Sequence, residues 1–520
     1  MRCGVLLAAG ALVLMTACGA APTTSGAPGV AKRGDRLTIG TTADVANLNP
    51  LVGNSRTDSW VTNLMYPHLM QMDAAGRRIP YLATDWAYAK DGRSATVRLR
   101  DDLTWSDGRP VTADDVVFSV NAVRKERFGV VAGLVTALDE ARALSPTSLS
   151  FTFTRPDGTF LDNVGFWLPI VPKHVFEKAP SVQRFANDAA WVSAGPYRLT
   201  RVERGQRYVM ERVESFGPGR PAVKEVVFRV YPDVNTQVLA LRNGEIDLIA
   251  NALPPATALA LKGDPEISLV EVPSLGWAHL QYNTRREPLD DVRVRRALAH
   301  AVDYPAIREI ALKGLASSAR SSVLTPTQPD YADPGVHEYA HDPARARELL
   351  REAGVSGLSL DLIYDHADPK IARWAPMVRD SARKAGVTIT LRGLERNTYM
   401  DRTHRRDFDV YAGSWAIMDN PPANLALAFR TGGFLNYAQV SDPALDRLID
   451  QGGRALTREQ ARAPIRRAAR IIHEQVYDNV LYVETLTVAH SARWTGFKPM
   501  PSELLSIVNP LSLAAVKPVS

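Results

Sequence analysis

From Leu37 onward, stretches that alternate apolar and polar residues take turns with stretches whose apolar residues recur every three or four positions. Ala95, Val97 and Leu99 alternate with polar neighbours, as do Leu149, Phe151 and Phe153, which is the period of strands with one buried face. Helical spacing follows a capping signal in several places. Thr112-x-x-Asp115 precedes Val116, Val117 and Val120 as a capping box. Asp233 can cap a helix with Val234, Val238 and Leu241 on one side, stopped near Gly244. Asp291 precedes Val294, Ala297, Leu298 and Ala301. Asp342-Pro343 opens a helix through Leu349 and Leu350 to Gly354, with proline at the favoured first position. Ser441-Asp442-Pro443 repeats the device ahead of Leu445, Leu448 and Ile449. Thr457-x-x-Gln460 then caps a long helix through Ile465, Ala468, Ile471 and Ile472.

Short strands mixed with helices, without a repeat period, predict an α/β fold. The 520 residues exceed what one core usually supports, so two or three domains are expected. No Gly/Ser-rich linker divides the chain after residue 40. Domains joined in that way often exchange the chain more than once, which suits a hinged two-lobe molecule.

Composition narrows the function. Hydrophobic residues at 45% and charged residues at 23% describe an ordinary globular protein. The net charge of +6 is small for the length. The basic residues are scattered rather than interleaved with aromatics, which excludes a nucleic-acid partner. At the N-terminus Arg2 is followed by an apolar run, Val5 to Met15, and by Thr16-Ala17-Cys18. The run is too short for a membrane span, which needs about 20 residues. It reads as a lipoprotein signal over residues 1–17, with Cys18 as the lipidated residue; a plain secretory signal cleaved elsewhere is the alternative. Cys3 and Cys18 are the only cysteines, so the body of the chain has no disulfide to draw on. Residues 18–35, rich in Ala, Pro, Gly, Ser and Thr, read as a flexible tether.

Two motifs suggest enzymes, and both lack their context. His337-Glu338-Tyr339-Ala340-His341 has the zinc-protease spacing, but that chemistry needs both imidazoles on one helical face. Pro334-Gly335 before it and Pro343 after it leave His341 in a loop. Ser381-Ala-Arg-Lys384 matches a serine-acylation pattern, yet it falls on an amphipathic helix, Ile371 to Gly386, whose solvated face accounts for both residues. Lone histidines such as His279 and His366 read as structural rather than as metal ligands. No phosphate loop, dinucleotide fingerprint or nucleophile elbow occurs. An exported hydrolase of zinc or serine type stays as the alternative to a binding protein.

Several blocks together resemble one family, the extracytoplasmic solute-binding proteins of family 5, which serve peptide and nickel ABC importers. The blocks are Tyr81 to Trp86 with Asp91-Gly92, ATVRLRDDLTWSDGRPVTADDVVFSV (Ala95 to Val120), SAGPYRL (Ser193 to Leu199) and LQYNTRREPLDDVRVRRALAHAVD (Leu280 to Asp303). HDPARARELLREAG (His341 to Gly354), DFDVYAGSWAIMDNPP (Asp407 to Pro422) and SDPALDRLID (Ser441 to Asp450) complete the order. The resemblance covers roughly residues 37 to 490. It implies a periplasmic-binding-protein-like two-lobe (class II type) fold with an extra subdomain inserted in lobe I. Lobe I would comprise 36–60, 171–272 and 488–520, the inserted subdomain 61–170, and lobe II 273–487.

By the same likeness the protein is no enzyme and needs neither cofactor nor metal. It would capture a small solute, foremost a short peptide, by hinge closure and pass it to ABC permease subunits. It would be an extracytoplasmic monomer held at the cell membrane by lipid alone. A nickel complex or an oligosaccharide is the alternative ligand. In peptide binders of this family an aspartate shortly after a tryptophan meets the peptide's α-ammonium, and the matching residues here are Trp415 and Asp419. Pairing a buried ammonium with a carboxylate avoids the cost of an uncompensated charge. Asp419 lies four residues after Trp415 where the family more often has three, and Pro421-Pro422 replaces an acidic-proline pair. Asp419 could instead cap a turn before the prolines. Asn283 is a further ligand candidate, or else satisfies backbone at a strand end. Trp191 reads as core rather than ligand wall.

Overall fold

A computed structural model describes residues 34–519 except 54, 129, 190, 416, 417, 503 and 504. The signal segment, Cys18 and the tether as far as residue 33 lie outside the described residues. The first lobe is built on the strand Arg36–Thr41, whose burial pattern is nearly continuous, as expected for a central parallel strand. It pairs in parallel with Glu225–Val230 and Leu248–Ile249. The antiparallel strands Arg207–Arg212 and Tyr197–Glu203 extend the sheet on one side. In the second lobe Thr388–Leu394, Ser359–Asp365, Val410–Trp415 and Trp277–Tyr282 lie side by side in that order.

The strand Asn479–Ser491 joins the two. Asn479, Val480 and Tyr482 pair with Trp277–Tyr282 in the second lobe, and Thr485 to Ser491 pair with Ile267–Pro273 in the first. The chain thus crosses twice, through 273–277 and through 483–487, and Ser274 N–H donates to Glu484 O (2.9 Å) to tie the crossings together. Two adjacent extended crossings permit bending about one axis and resist independent motion, the geometry of a hinge.

The segment between Ala83 and Phe153, within the expected inserted subdomain, adds a four-stranded antiparallel sheet, in the order Ala83–Tyr88, Ser94–Leu99, Ser148–Phe153, Leu138–Ser145. The alternation seen in the sequence is real: Ala95, Val97, Leu99, Leu149, Phe151 and Phe153 all point into the core. That core is continuous with the core of the first lobe. Asp115 explains why the block around it reads as one unit. Besides capping Ala113–Glu126 through Thr112 N–H (2.9 Å), its buried carboxylate accepts from Trp105 Nε1 (3.2 Å) and Lys173 N–H (2.9 Å). In the Gly195-Pro196-Tyr197 turn a Cβ on Gly195 would lie 2.2 Å from Leu64 O, so only glycine fits. Tyr197 then donates its hydroxyl toward Val223 O and Leu513 O, fastening the C-terminal segment to the first lobe.

Asp233, Asp291, Asp342, Asp442 and Thr457 each accept a hydrogen bond from the first turn of the helix that follows, as their positions predict. Residues His337–His341 are not helical, and Glu338 is held by Arg308 and Ser318. No group of His, Cys, Asp and Glu among the described residues could hold a metal. The helix Pro369–Lys384 carries one difference from the sequence reading. Ser381 is buried while Lys384 is exposed, so the two do not share a solvated face.

Candidate functional site

The two lobes meet around a cavity of about 860 Å³, within the ordinary range for small-molecule sites. Leu51, His68, Phe166 and Trp167 face it from the first lobe with its inserted subdomain, and Tyr411, Trp415 and Asp419 from the second. Trp415 is braced from behind by Trp277, the rings parallel to within 13° at 6.0 Å, while Phe166 and Trp167 meet edge to face at 4.9 Å. Such rings offer apolar area with few rotatable bonds to order on binding. Phe434 stands 74% exposed at the cavity rim.

The strand Val410–Trp415 presents more than side chains. It pairs along its whole length with Trp277–Tyr282, but on its other side only Val410 and Tyr411 pair with a neighbour. Gly413 and Ser414 line the cavity beyond that point. Main chain with no second strand on that outer side can bond an extended chain irrespective of its sequence.

Asp419 lies on the cavity wall with its side chain 2% exposed. Neither of its described hydrogen bonds is local. Oδ2 accepts from Arg78 Nη2 at 2.5 Å and from Trp167 Nε1 at 2.8 Å, both across the lobes. The next residue follows suit: Asn420 Nδ2 donates to Asn163 Oδ1 (3.0 Å) and Thr159 O (3.4 Å). A third tie is backbone to backbone, Gly158 N–H to Gly453 O at 3.0 Å. These contacts fasten the inserted subdomain to the second lobe at the cavity edge.

Trp415 and Asp419 are therefore brought together on one wall, whereas Asn283 is elsewhere. Its Nδ2 donates to Arg406 O and Phe408 O, and its Oδ1 accepts from Arg285 N–H and Gln439 Nε2. It does not line the cavity, and its amide has no bonding capacity left for a solute. Trp191 likewise packs beside the first-lobe core, off the cavity wall.

Charges around the cavity are mostly balanced within the protein. Asp365 accepts from Arg396 (3.1 Å) and Asp450 from Arg430 (2.9 Å), while Asp368 caps Pro369–Lys384. Arg155 and Arg454 differ. Both line the cavity and are exposed, and neither side chain has a hydrogen bond or ion pair among the described residues. The loop after Arg155 meets the end of the helix Pro443–Arg454 through the Gly158–Gly453 bond. Spacing along the chain gives no hint of this pairing, which joins segments some 300 residues apart.

Behind the wall lies a buried polar network. Asp478 Oδ2 accepts from Gln281 Nε2 (2.8 Å) and pairs with His279 Nδ1 (2.7 Å), while Tyr411 O–H donates to Gln281 Oε1 (2.9 Å). The aspartate side chain is wholly buried. Burial holds the Tyr411 hydroxyl protonated and pushes His68 down to about 4, so both reach the cavity uncharged near neutral pH. His279 thus acts as a wall group oriented by its own carboxylate, without a metal-binding set around it.

Among the described residues no helix is long and apolar enough to cross a membrane. The family model for bacterial extracellular solute-binding proteins, family 5 Middle, matches residues 78–436. The dipeptide-binding protein of Escherichia coli is 28% identical over 83% of this chain and 84% of its own length. The nickel-binding periplasmic protein of the same organism is 26% identical over 88% and 90%. In structure, the ABC transporter substrate binding protein CtaP of Listeria monocytogenes superposes with a TM-score of 0.85 at 24% identity, over 94% of this chain and all of that one. The hinge, the cavity between the lobes and the matched span agree, and the chain belongs to the bacterial extracellular solute-binding proteins of family 5.

Proposed function

We propose that the protein captures a short peptide in the cavity between its lobes, closes over it, and presents it to an ABC permease outside the cytoplasmic membrane. One observation carries this reading: the outer edge of Gly413 and Ser414, which pair only with Trp277–Tyr282, opens onto the cavity among aromatic rings. An extended peptide satisfies that main chain directly. Trp415 and Trp167 supply apolar contact, and Arg155 and Arg454 offer guanidinium groups for a carboxylate. The dipeptide-binding relative supports a peptide as ligand. Small-angle scattering with and without saturating tetra-alanine, free or N-acetylated, tests it. The radius of gyration should fall on binding, and identical curves together with no calorimetric signal for both forms would rule the peptide out.

The short apolar run ending at Cys18 supports lipid anchoring. Cys18→Ser should move the protein from the membrane fraction to the soluble fraction without changing solute binding. A wild-type N-terminus that is unmodified, or that begins well past Cys18, would contradict the anchor.

A further inference from the structure

The carboxylate that the family likeness assigns to a ligand's ammonium already has a cation beside it. Arg78 lies on the short strand Arg78–Pro80 of the inserted subdomain, off the cavity wall, with its side chain 4% exposed. Three contacts aim it. Nη2 donates to Asp419 Oδ2 (2.5 Å), Nε to Asp162 O (3.3 Å), and the guanidinium lies 4.3 Å from the centre of the Phe166 ring. Trp167 Nε1 takes the same oxygen of Asp419. The carboxylate is thus neutralised in a buried setting by a residue of its own chain. A ligand ammonium brought to Asp419 would stand close to the guanidinium in a region of low dielectric, where like charges repel strongly.

We propose that Arg78 fills the cation position of the cleft from within. Asp419 then ties the lobes together, and the cavity selects solutes whose end beside Trp167 and Trp415 carries no ammonium. N-acylated or otherwise amine-free peptides are the fitting class. This rests on the cavity being the solute site, with peptide as its ligand, and the test separates the two.

Calorimetric titration of the full protein with tetra-alanine and with N-acetyl-tetra-alanine is the first arm. The wild type should bind the acetylated form at least as tightly as the free amine. Arg78→Met leaves Asp419 buried without a counter-ion and should reverse the order, favouring the free amine by about tenfold or more. Arg78→Met combined with Asp419→Leu should abolish that preference. A wild type that binds the free amine at least tenfold more tightly than the acetylated form would overturn the proposal.

The second arm needs no peptide. Millimolar ethylammonium should raise the melting temperature of Arg78→Met, but not of the wild type or the double variant, because only the single variant offers an unpaired carboxylate. No rise in Arg78→Met would overturn the internal pairing. If neither peptide binds the wild type while ethylammonium rescues Arg78→Met, the peptide reading falls and the internal cation stands.

Discussion

Gly158→Val should leave a folded protein that cannot close. A Cβ at residue 158 would lie 1.8 Å from the carbonyl oxygen of Ala455 in the opposite lobe, and the obstacle is backbone, which cannot rotate aside as a side chain could. Residue 158 has no left-handed backbone geometry, so valine strains nothing once the lobes part. The damage therefore falls on closure rather than on folding. Affinity scales with the fraction of molecules able to reach the binding-competent state, so it should drop by about 100-fold or more. Scattering curves of the variant with and without N-acetyl-tetra-alanine should coincide where those of the wild type differ, while its melting temperature without ligand stays near that of the wild type. A variant that still contracts on binding would show that the Gly158–Gly453 contact plays no part in the closed state.

Asp478→Ala should instead strike the fold of the second lobe. His279 and Gln281 both direct nitrogen at one buried oxygen of this carboxylate. Removing it strands two buried donors and the orientation of the His279 ring. Breaking a buried charged network by deleting one partner costs about 3–5 kcal/mol. The effect should appear as an early denaturant transition reported by tryptophan fluorescence, since Trp277 and Trp415 lie on the two strands this network joins. Asp478→Asn keeps one acceptor oxygen and should recover part of the loss. A wild-type transition in Asp478→Ala would mean that water replaces the carboxylate without cost.

Much of the fold could be read from local pattern, because its signals act over one turn or one strand. Asp291, Asp342 and Asp442 cap the helices that follow them, and the burial of Ala95, Val97 and Leu99 follows their alternation. The site was legible only in part. Trp415 and Asp419 lie on the cavity wall, where the family likeness pointed. What Asp419 touches was not legible: Arg78 is 341 residues away in sequence, and no periodicity links two side chains that meet across the lobes. The extra residue between Trp415 and Asp419, noticed in the sequence, accompanies a carboxylate turned toward the inserted subdomain. Asn283 misled for the opposite reason. A polar residue at a strand end fits a ligand contact or a backbone clamp equally well until its partners are seen. Ser381 shows the limit of helical periodicity, since a small hydroxyl sits on a buried face as readily as on a wet one.

Native mass spectrometry of the purified protein, offered an equimolar mixture of short peptides with free and acetylated N-termini, tests the central claim most directly. A closing cleft predicts one intact peptide per protein chain, recovered unchanged after the complex is dissociated and drawn mainly from the acetylated set. Cleaved products, or spectra of the bare protein at every peptide concentration, would contradict it.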